Sequence, residues 1–397
     1  MKYFHGVEMT QERFIFSTPK DIFKDRKPLD TRTFIGTDEI IDRKKQIYEL
    51  TMVMQRILRG SEAFVSVYGV SGTGKTALVC SMANEIVNQY SDFVKVCYIC
   101  CQTNKTEYQI LAKICEVFGY PHVPNNSSSF YGLLEKTLKA ENKSLLLILD
   151  EVSLVDGKDL NSLLYNLHEI SQNMFRENHH CVSGILISND MRFLDSINGS
   201  VRSRLGENTI QFPAYNIAEL WNIVNDRVEK AVYKAYLSEL LLSKCTQSIG
   251  QNSGDARECI NTINAVYEFL EYSDSKEITE ELITQAYEKI KCDKYKGILL
   301  LLPKSLKISL LAVINTQDKN VSSVYNTYLM LCKGAKIPKL SFRRFHQFID
   351  ELEKTNLIKT CNISSGRHGM KRVIEMNVED NIVRQIKEIV ESTISVF

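Results

Sequence analysis

The chain has 397 residues, of which 44% are hydrophobic and 24% charged, a composition typical of a soluble globular protein with two or three domains. No apolar run approaches the roughly 20 residues that span a bilayer, and no early apolar segment is typical of a signal peptide. We therefore expect no membrane association. The 11 cysteines are expected as free thiols of a reducing compartment rather than as a disulfide framework.

Charge is distributed unevenly along the chain. The formal net charge is +1, which taken alone argues against nucleic-acid binding. Residues 301–397 nevertheless hold 15 Lys and Arg against 9 Asp and Glu, and residues 333–372 hold 10 against 3. The first 300 residues are correspondingly acidic. A basic C-terminal module on a mildly acidic body predicts a nucleic-acid contact at this end of the chain.

The first half of the chain alternates strands with helices. Residues 1 to about 30 are irregular and aromatic-rich, and we expect them to pack as an arm. Apolar residues then recur at helical spacing from Gly36, which predicts an amphipathic helix ending at Gly60. Further helices are predicted over 106–118 and 127–140. The apolar strand segments are AFVSVYG, FVKVCYICC, SLLLILDE, CVSGILISND and TIQFPAY. The alternation predicts an α/β fold with a parallel sheet and right-handed crossovers.

The strands stop after Pro213. Residues 217–292 show about four helical segments, and the last hundred residues show three helices followed by the short strands LIKTC and RVIEMNV. That order predicts a winged helix. We therefore predict three domains: an α/β nucleotide-binding base with the N-terminal arm (1–216), a helical lid (217–295) and a winged-helix DNA-binding domain (296–397).

A glycine-rich turn follows the first strand, in the segment VYGVSGTGKTALV. Its glycines allow several backbone N–H groups to face one anion at a helix N-terminus. Lys75 can reach the β- and γ-phosphates of a nucleotide, and Thr76 offers a hydroxyl to Mg²⁺. A plain glycine-rich turn is the alternative. The predicted cofactors are ATP or ADP and Mg²⁺, and the predicted cofactor-binding residues are Gly69, Val70, Ser71, Gly72, Thr73, Gly74, Lys75, Thr76, Ala77 and Asp150.

Polar side chains end the next two buried strands. Asp150, at the end of LLLILDE, is predicted to hold Mg²⁺ together with Thr76, and Glu151 to polarise the attacking water. Asn189, at the end of ILISND, is positioned to orient that water, although an Asn that only forms a turn is the alternative. We therefore predict an ATP-hydrolysing site in which Glu151 and Asn189 are catalytic.

Two arginine-containing segments lie further along. In NSGDAREC, Arg257 begins a lid helix from which it can reach back to the nucleotide and report its state. In GSVRSRLGE, Arg202 and Arg204 precede the last strand, where either could meet a neighbouring subunit's γ-phosphate as an arginine finger. Solvated surface arginines are the alternative in both cases.

The basic C-terminal module suggests what the nucleotide serves. In LSFRRFHQFIDELEK, helical spacing places Phe342, Phe345, Ile349 and Leu352 on one face and leaves Arg343, Arg344 and Gln347 off it, while Ser341 suits the N-cap. The hairpin SSGRHGMKR presents Arg367, His368, Lys371 and Arg372 on a glycine-flexible tip suited to backbone or minor-groove contact. These seven residues are the predicted DNA-binding set. A protein-docking winged helix is the alternative.

Together these segments resemble the AAA+ replication initiators of archaea and eukaryotes, the family of origin recognition complex subunit one and cell division control protein six. The resemblance runs from about DIFKDRKPL to the C-terminus, through YGVSGTGKT, LILDE, ISND, SRLGE, SGDAREC and the winged-helix segment. It implies a P-loop AAA+ ATPase domain with a helical lid and a C-terminal winged helix.

The resemblance also implies a function. Members of the family engage double-stranded origin DNA in the ATP-bound state, help recruit or load the replicative helicase of the MCM type, and use slow ATP hydrolysis as a switch. An additional helical element, matched by residues 105–125, touches DNA. Assembly with itself or with other initiator subunits is implied, as is a chromosome-associated location, cytoplasmic in an archaeon or nuclear in a eukaryote. The compact length and the SSGRHG wing favour the archaeal alternative.

The sequence departs from the family pattern at three points. The segment DTRTFIGTDEII leaves the adenine pocket undefined, and Ser153 stands where an acid is usual. Ser200 stands where an Arg is common, which leaves Arg204 as the finger candidate. Two rival functions remain open: a winged-helix signal-transduction ATPase that regulates transcription, and a clamp-loader-like ATPase that acts on protein.

Overall fold

The computed structural model describes residues 20–31, 40–120, 126–205, 208–272, 277–335, 337–355, 357–364, 370–378 and 380–395. The chain divides into two compact units between Tyr267 and Glu268. The predicted three-domain division remains a prediction. Among the described residues no helix is both long and apolar enough to cross a membrane.

The first unit is built on a five-stranded parallel sheet, as predicted. Its strands lie in the order β2-β3-β4-β1-β5, so the glycine-rich turn leaves a strand flanked on both sides. β3 and β4 are buried along their whole length, which is why both segments are continuously apolar. The strands are β1 Phe64–Tyr68, β2 Val94–Cys100, β3 Ser144–Asp150, β4 Val182–Ser188 and β5 Thr209–Gln211.

Helices cover both faces of this sheet. α1 and α2 pack through Leu50, Ile57 and Leu78 on one face, while α3, α4 and α5 pack on the other. The helices of this part are α1 Lys44–Leu58, α2 Lys75–Tyr90, α3 Glu107–Phe118, α4 Ser127–Glu141, α5 Gly157–Arg176 and α6 Gly199–Leu205. α1 begins eight residues later than its apolar spacing suggested, since residues 40–43 are not helical.

Four helices follow the sheet, as the sequence predicted. They are α7 Ile217–Ala231, α8 Glu239–Asn252, α9 Ala256–Tyr272 and α10 Glu280–Leu301. Asn216 caps α7 in a reciprocal arrangement with Glu219, and Ser238 caps α8. α10 continues past residue 295, where the lid was expected to end.

The second unit contains the predicted winged helix. Its elements are α11 Lys304–Asn315, α12 Val321–Gly334, α13 Phe342–Lys354, the antiparallel strands β6 Ile358–Ser364 and β7 Met370–Met376, and α14 Asp380–Ser395. Sequence analysis missed α14, which packs against α10 and α11. β6 extends three residues further than expected and β7 begins two residues earlier, so only residues 365–369, which lie outside the described residues, separate the two strands.

Candidate nucleotide site and nucleic-acid interface

The glycine-rich turn, residues 69–76, is a P-loop between β1 and α2. Gly72 and Gly74 have φ angles of +71° and +86°, in the left-handed region that favours glycine. A Cβ at Gly69 would lie 2.1 Å from the carbonyl oxygen of Phe212. The 16-residue helix α2 starts directly after Gly74, so its first N–H groups face the loop. Such a helix N-terminus binds a phosphate.

Lys75 lies in the floor of this loop and is 6% exposed. Its ammonium group donates to the carbonyl oxygens of Gly69 at 2.7 Å and Val70 at 2.8 Å. Burial lowers the pKa of Lys75 to about 8, although the carboxylates of Glu151 and Asp150 act in the opposite direction. The lysine is therefore a desolvated cation that a phosphate anion would stabilise.

The two predicted Mg²⁺ ligands are in contact. The Thr76 hydroxyl donates to Asp150 Oδ2 at 3.0 Å, and the backbone N–H of Glu151 donates to Asp150 Oδ1 at 3.0 Å. Asp150 ends β3 and is 8% exposed. A hydroxyl and a carboxylate beside a phosphate-binding helix N-terminus are the hard oxygen ligands that Mg²⁺ prefers alongside phosphate. The residues present therefore fit a Mg²⁺–nucleotide complex.

Glu151 and Asn189 also meet. The Asn189 amide donates to both carboxylate oxygens of Glu151, at 2.8 and 3.0 Å. The contact arises because β3 and β4 are neighbours and both residues follow their carboxyl ends. Glu151 has a φ of +56°, a conformation that costs a non-glycine residue about 1–3 kcal/mol and that clusters at functional sites.

Arg257 lies beside the P-loop, at the start of α9. The backbone N–H of Ala256 donates to the carbonyl oxygen of Gly72 at 3.2 Å, which places the start of α9 against the loop. The positive charge of Arg257 contributes to lowering the pKa of Lys75, after burial of the lysine itself. Arg257 and Gly72 line one cleft. The predicted nucleotide-reporting arginine is therefore next to the phosphate cradle.

The wall of that cleft was not identified from the sequence. It joins residues from three distant parts of the chain, and its apolar and aromatic members are Ile40, Ile41, Tyr215, Ile223 and Ile260. The cleft also includes Gly74 and Ala77, so it continues from the P-loop. An apolar wall beside a phosphate cradle suits a flat base, so this cleft is a candidate for the adenine pocket that the segment before α1 left undefined.

Arg43 is a second residue that sequence analysis missed. It is 2% exposed, and its guanidinium donates to the carbonyl oxygens of Thr73 at 3.2 Å and Pro213 at 2.7 Å. The same group lies 3.7 Å from the centroid of the Tyr215 ring. Arg43 thus joins the P-loop to the segment after β5. Its position directly before the first helix gave no signal that the guanidinium would be buried.

The arginine-finger candidates lie on α6. Arg202 is half-buried and lines a small cavity with Phe64 and Val65 at the start of β1, the end of that strand away from the P-loop. The side chain of Arg204 lies outside the described part of the structure. The assignment of either residue as a finger stays a prediction.

The helix expected to read DNA has the predicted cap and core face. Ser341 accepts a hydrogen bond from the backbone N–H of Arg344 at 3.3 Å, and Phe345, Ile349 and Leu352 are fully buried. Phe342, at the start of the helix, is 42% exposed and packs edge-on against Tyr325, the ring that Phe345 also contacts. The residue that completes the core face is Phe348.

The predicted polar face of α13 is exposed. The Arg344 guanidinium donates to Gln347 Oε1 at 2.6 Å and lies over the Phe348 ring. Arg343 is also exposed. Arg343, Arg344 and Gln347 therefore form one exposed polar surface on the first two turns of the helix.

Arg372 differs from its expected position. It lies within β7, opposite Asn362, rather than on a flexible tip. Its guanidinium forms ion pairs with Asp350 at 2.6 Å and Glu353 at 3.4 Å on α13, and a hydrogen bond to Thr360 at 3.1 Å. The expected placement of Arg372 on a flexible tip is wrong, because the side chain lies on a strand and these acids tie it to the helix, while its contact with DNA stays a prediction.

The other wing residues divide into two groups. Lys371 is exposed but also lies within β7, opposite Ile363. Arg367 and His368 lie outside the described residues.

The element at residues 105–125 forms α3 and the start of the connection to α4, with 121–125 outside the described residues. Ile110 and Ile114 bury one side of α3. On its outer side, the Lys113 ammonium is paired with Glu116 at 2.7 Å. The charge of this element does not by itself indicate DNA contact, so that contact stays a prediction from resemblance.

Comparison with known proteins agrees with this arrangement. Residues 300–386 match the family described as CDC6, C terminal winged helix domain, and residues 58–190 match an AAA domain family. An ORC1-type DNA replication protein of Thermococcus kodakarensis is 30% identical over 382 residues, covering 92% of this chain and 91% of the relative. ORC1-type DNA replication protein 1 of Methanosarcina acetivorans is 28% identical, with 92% and 90% coverage.

The fold matches as well. The Aeropyrum pernix ORC1 protein, solved in complex with DNA, superposes with a TM-score of 0.79 at 24% identity, covering 95% of this chain and 99% of that one. This likeness confirms the fold predicted from the sequence, a parallel-sheet ATPase with a C-terminal winged helix. The relatives match over nearly their whole length, and the chain therefore belongs to the family of ORC1-type DNA replication proteins.

Proposed function

We propose that the protein is an ATP-dependent initiator of DNA replication. It binds double-stranded origin DNA through its winged helix, helps recruit or load a replicative helicase of the MCM type, and uses slow ATP hydrolysis as a switch. The observation that carries the proposal is that a P-loop with paired Thr76–Asp150 and Glu151–Asn189 side chains shares one chain with a basic winged helix. Its ORC1-type relatives are named as DNA replication proteins.

The residues of the P-loop bind and orient the nucleotide. The N–H groups at the start of α2 and the Lys75 ammonium hold the phosphates, and the apolar cleft beside Ala77 holds the base. Mg²⁺, when bound at Thr76 and Asp150, neutralises charge on the phosphate oxygens. Glu151 accepts a proton from the attacking water, and Asn189 holds the Glu151 carboxylate at the strand ends.

The Glu151–Asn189 contact supports slow turnover. Both carboxylate oxygens of Glu151 already accept hydrogen bonds from the Asn189 amide. The carboxylate keeps lone pairs for a water molecule, but only in the orientation that the Asn189 amide holds. A site that holds its base in this way suits a switch, in which the bound nucleotide persists long enough to determine what the protein contacts.

DNA contact is assigned to the exposed surface of α13 and the wing. Arg343, Arg344 and Gln347 are suited to base edges in the major groove, and Lys371 to a phosphate. Arg367 and His368, at the hairpin turn, remain candidates for backbone or minor-groove contact. The location that follows is the chromosome, in the cytoplasm of an archaeal cell.

Assembly with further copies or with other initiator subunits would complete the nucleotide site. Arg204 is proposed to act as a finger on a neighbouring subunit. It lies on α6, which leads into the amino end of β5, whereas the P-loop of the same chain lies at the carboxyl ends of the strands. Mixing Arg204→Ala protein with Lys75→Ala protein should then restore part of the hydrolysis that each lacks alone. Absence of recovery, at concentrations where the parent protein associates, would remove Arg204 from this role.

The proposed function is tested by isolating genomic fragments that the protein retains and sequencing them. An initiator should enrich a few replication origins, more strongly with ATP than with ADP, and should retain the helicase on them. Enrichment of promoters scattered over the chromosome would support a transcription regulator instead. Activity that survives deletion of residues 296–397 would support a clamp-loader-like ATPase.

A further inference from the structure

Among the described residues, three hydrogen-bond donors surround the Asp150 carboxylate, and one of them has no role so far. Thr76 and the Glu151 backbone N–H account for two. The third is the Tyr98 phenol, which donates to Asp150 Oδ2 at 2.8 Å. Oδ2 therefore accepts from two hydroxyl groups, while Oδ1 accepts the backbone N–H.

The position of Tyr98 follows from the sheet. β2 pairs in parallel with β3, Cys100 lies opposite Asp150, and Tyr98 lies opposite Ile148, two residues earlier. Side chains two residues apart on a strand share a face, so the phenol lies on the same face as Asp150 and extends toward the carboxyl end of the strands. β2 is an edge strand, which leaves Tyr98 43% exposed while its hydroxyl contacts a buried carboxylate.

We propose that Tyr98 is a positioning residue that holds the Asp150 carboxylate in the orientation required for Mg²⁺. The inference rests on the proposed nucleotide function. Thr76 is expected to turn its hydroxyl toward the cation, so Tyr98 and the Glu151 backbone are the donors left to fix the carboxylate. Groups that orient a ligand in this way contribute about 10–100-fold to metal affinity.

The phenol is suited to this role because its hydroxyl is an uncharged hydrogen-bond donor. A carboxylate partner in the same place would repel Asp150 instead.

The test measures the Mg²⁺ requirement of nucleotide binding, using a fluorescent ATP analogue titrated at several MgCl₂ concentrations and in EDTA. Tyr98→Phe should raise the Mg²⁺ concentration for half-maximal binding by about tenfold while leaving the affinity in EDTA unchanged. Tyr48→Phe is the matched control, because Tyr48 is 66% exposed on α1 and does not line the cleft beside the P-loop. Thermal melting without nucleotide checks that both variants are folded.

A double-variant cycle separates positioning from packing. If Tyr98 acts through Asp150, adding Tyr98→Phe to Asp150→Ala should leave the Mg²⁺ requirement of the single Asp150→Ala variant unchanged. An unchanged or lowered Mg²⁺ requirement in Tyr98→Phe alone would overturn the proposal, as would an equal loss in EDTA. Failure of the parent protein to bind the analogue, or full binding by Lys75→Ala, would instead contradict the nucleotide function itself.

Discussion

Asp150 and Glu151 receive hydrogen bonds of 2.8–3.0 Å from Thr76, Tyr98 and Asn189 at the strand ends. In the winged helix, Arg343 and Lys371 are exposed side chains. The first region is organised internally, so each side chain there depends on its neighbours. The second region presents charges whose partner is another molecule. The contribution of each of these side chains to binding should be smaller and should depend less on its neighbours.

The sharpest test of the first region is Glu151→Gln. The amide keeps the shape of the side chain but cannot accept a proton from water. Nucleotide affinity should stay within a few-fold of the parent, while hydrolysis should fall by about 10²–10⁴-fold. Lys75→Ala is the contrasting variant and should lose binding itself. Hydrolysis by Glu151→Gln at the parent rate would show that Glu151 is not the base.

Arg344→Ala tests whether exposed residues act independently. If Arg344 contacts a base edge, its loss should cost roughly 1–3 kcal/mol with the preferred duplex and relax the preference at one base pair. Binding to a scrambled duplex should change much less. The measurement is a titration of both duplexes, with Gln347→Ala as the companion, since Gln347 is paired with Arg344. An equal loss on both duplexes would make Arg344 a phosphate contact.

Lys75 gives the first region a pH dependence. Its pKa of about 8 in the folded protein lies below the unfolded value of 10.5, so its burial costs stability at neutral pH and that cost is relieved as pH rises from 8 to 10.5. Phosphate binding favours the charged lysine. ATP affinity should therefore fall as pH rises above 8, and at pH 9 it should be about tenfold lower than at pH 7. Adenosine lacks the phosphates and serves as the control. If its affinity fell by the same factor above pH 8, a group other than Lys75 would be responsible.

Arg372, unlike the exposed residues of the winged helix, is held by neighbouring side chains, as the residues of the nucleotide site are. Because its guanidinium is paired with Asp350 and Glu353, Arg372→Ala should weaken binding to all duplexes by a few-fold through the freed carboxylates, without lowering the salt dependence. Adding Asp350→Ala should recover part of the loss. Lys371→Ala is the control, and a lost phosphate contact there should reduce the salt slope by about 0.9. A similar reduction for Arg372→Ala, without recovery, would make it a direct contact.

The sequence by itself determined the parts of the protein that local patterns specify. Continuous apolar runs predicted β3 and β4, and glycine spacing before Lys75 predicted the P-loop. The contact between Glu151 and Asn189 was foreseeable because parallel strands end at one edge of a sheet. The winged helix followed from helical spacing and from a hairpin between two short strands.

Only the tertiary structure decided contacts between distant segments. Ile40 and Ile260 line one cleft, and Arg372 is neutralised by acids some twenty residues earlier, although neither association leaves a periodic trace in the sequence. Tyr98 and Asp150 are 52 residues apart and meet because two strands pair in one register. Helical and strand periodicity records which side of an element is buried, whereas the partner across the core depends on packing of the whole chain.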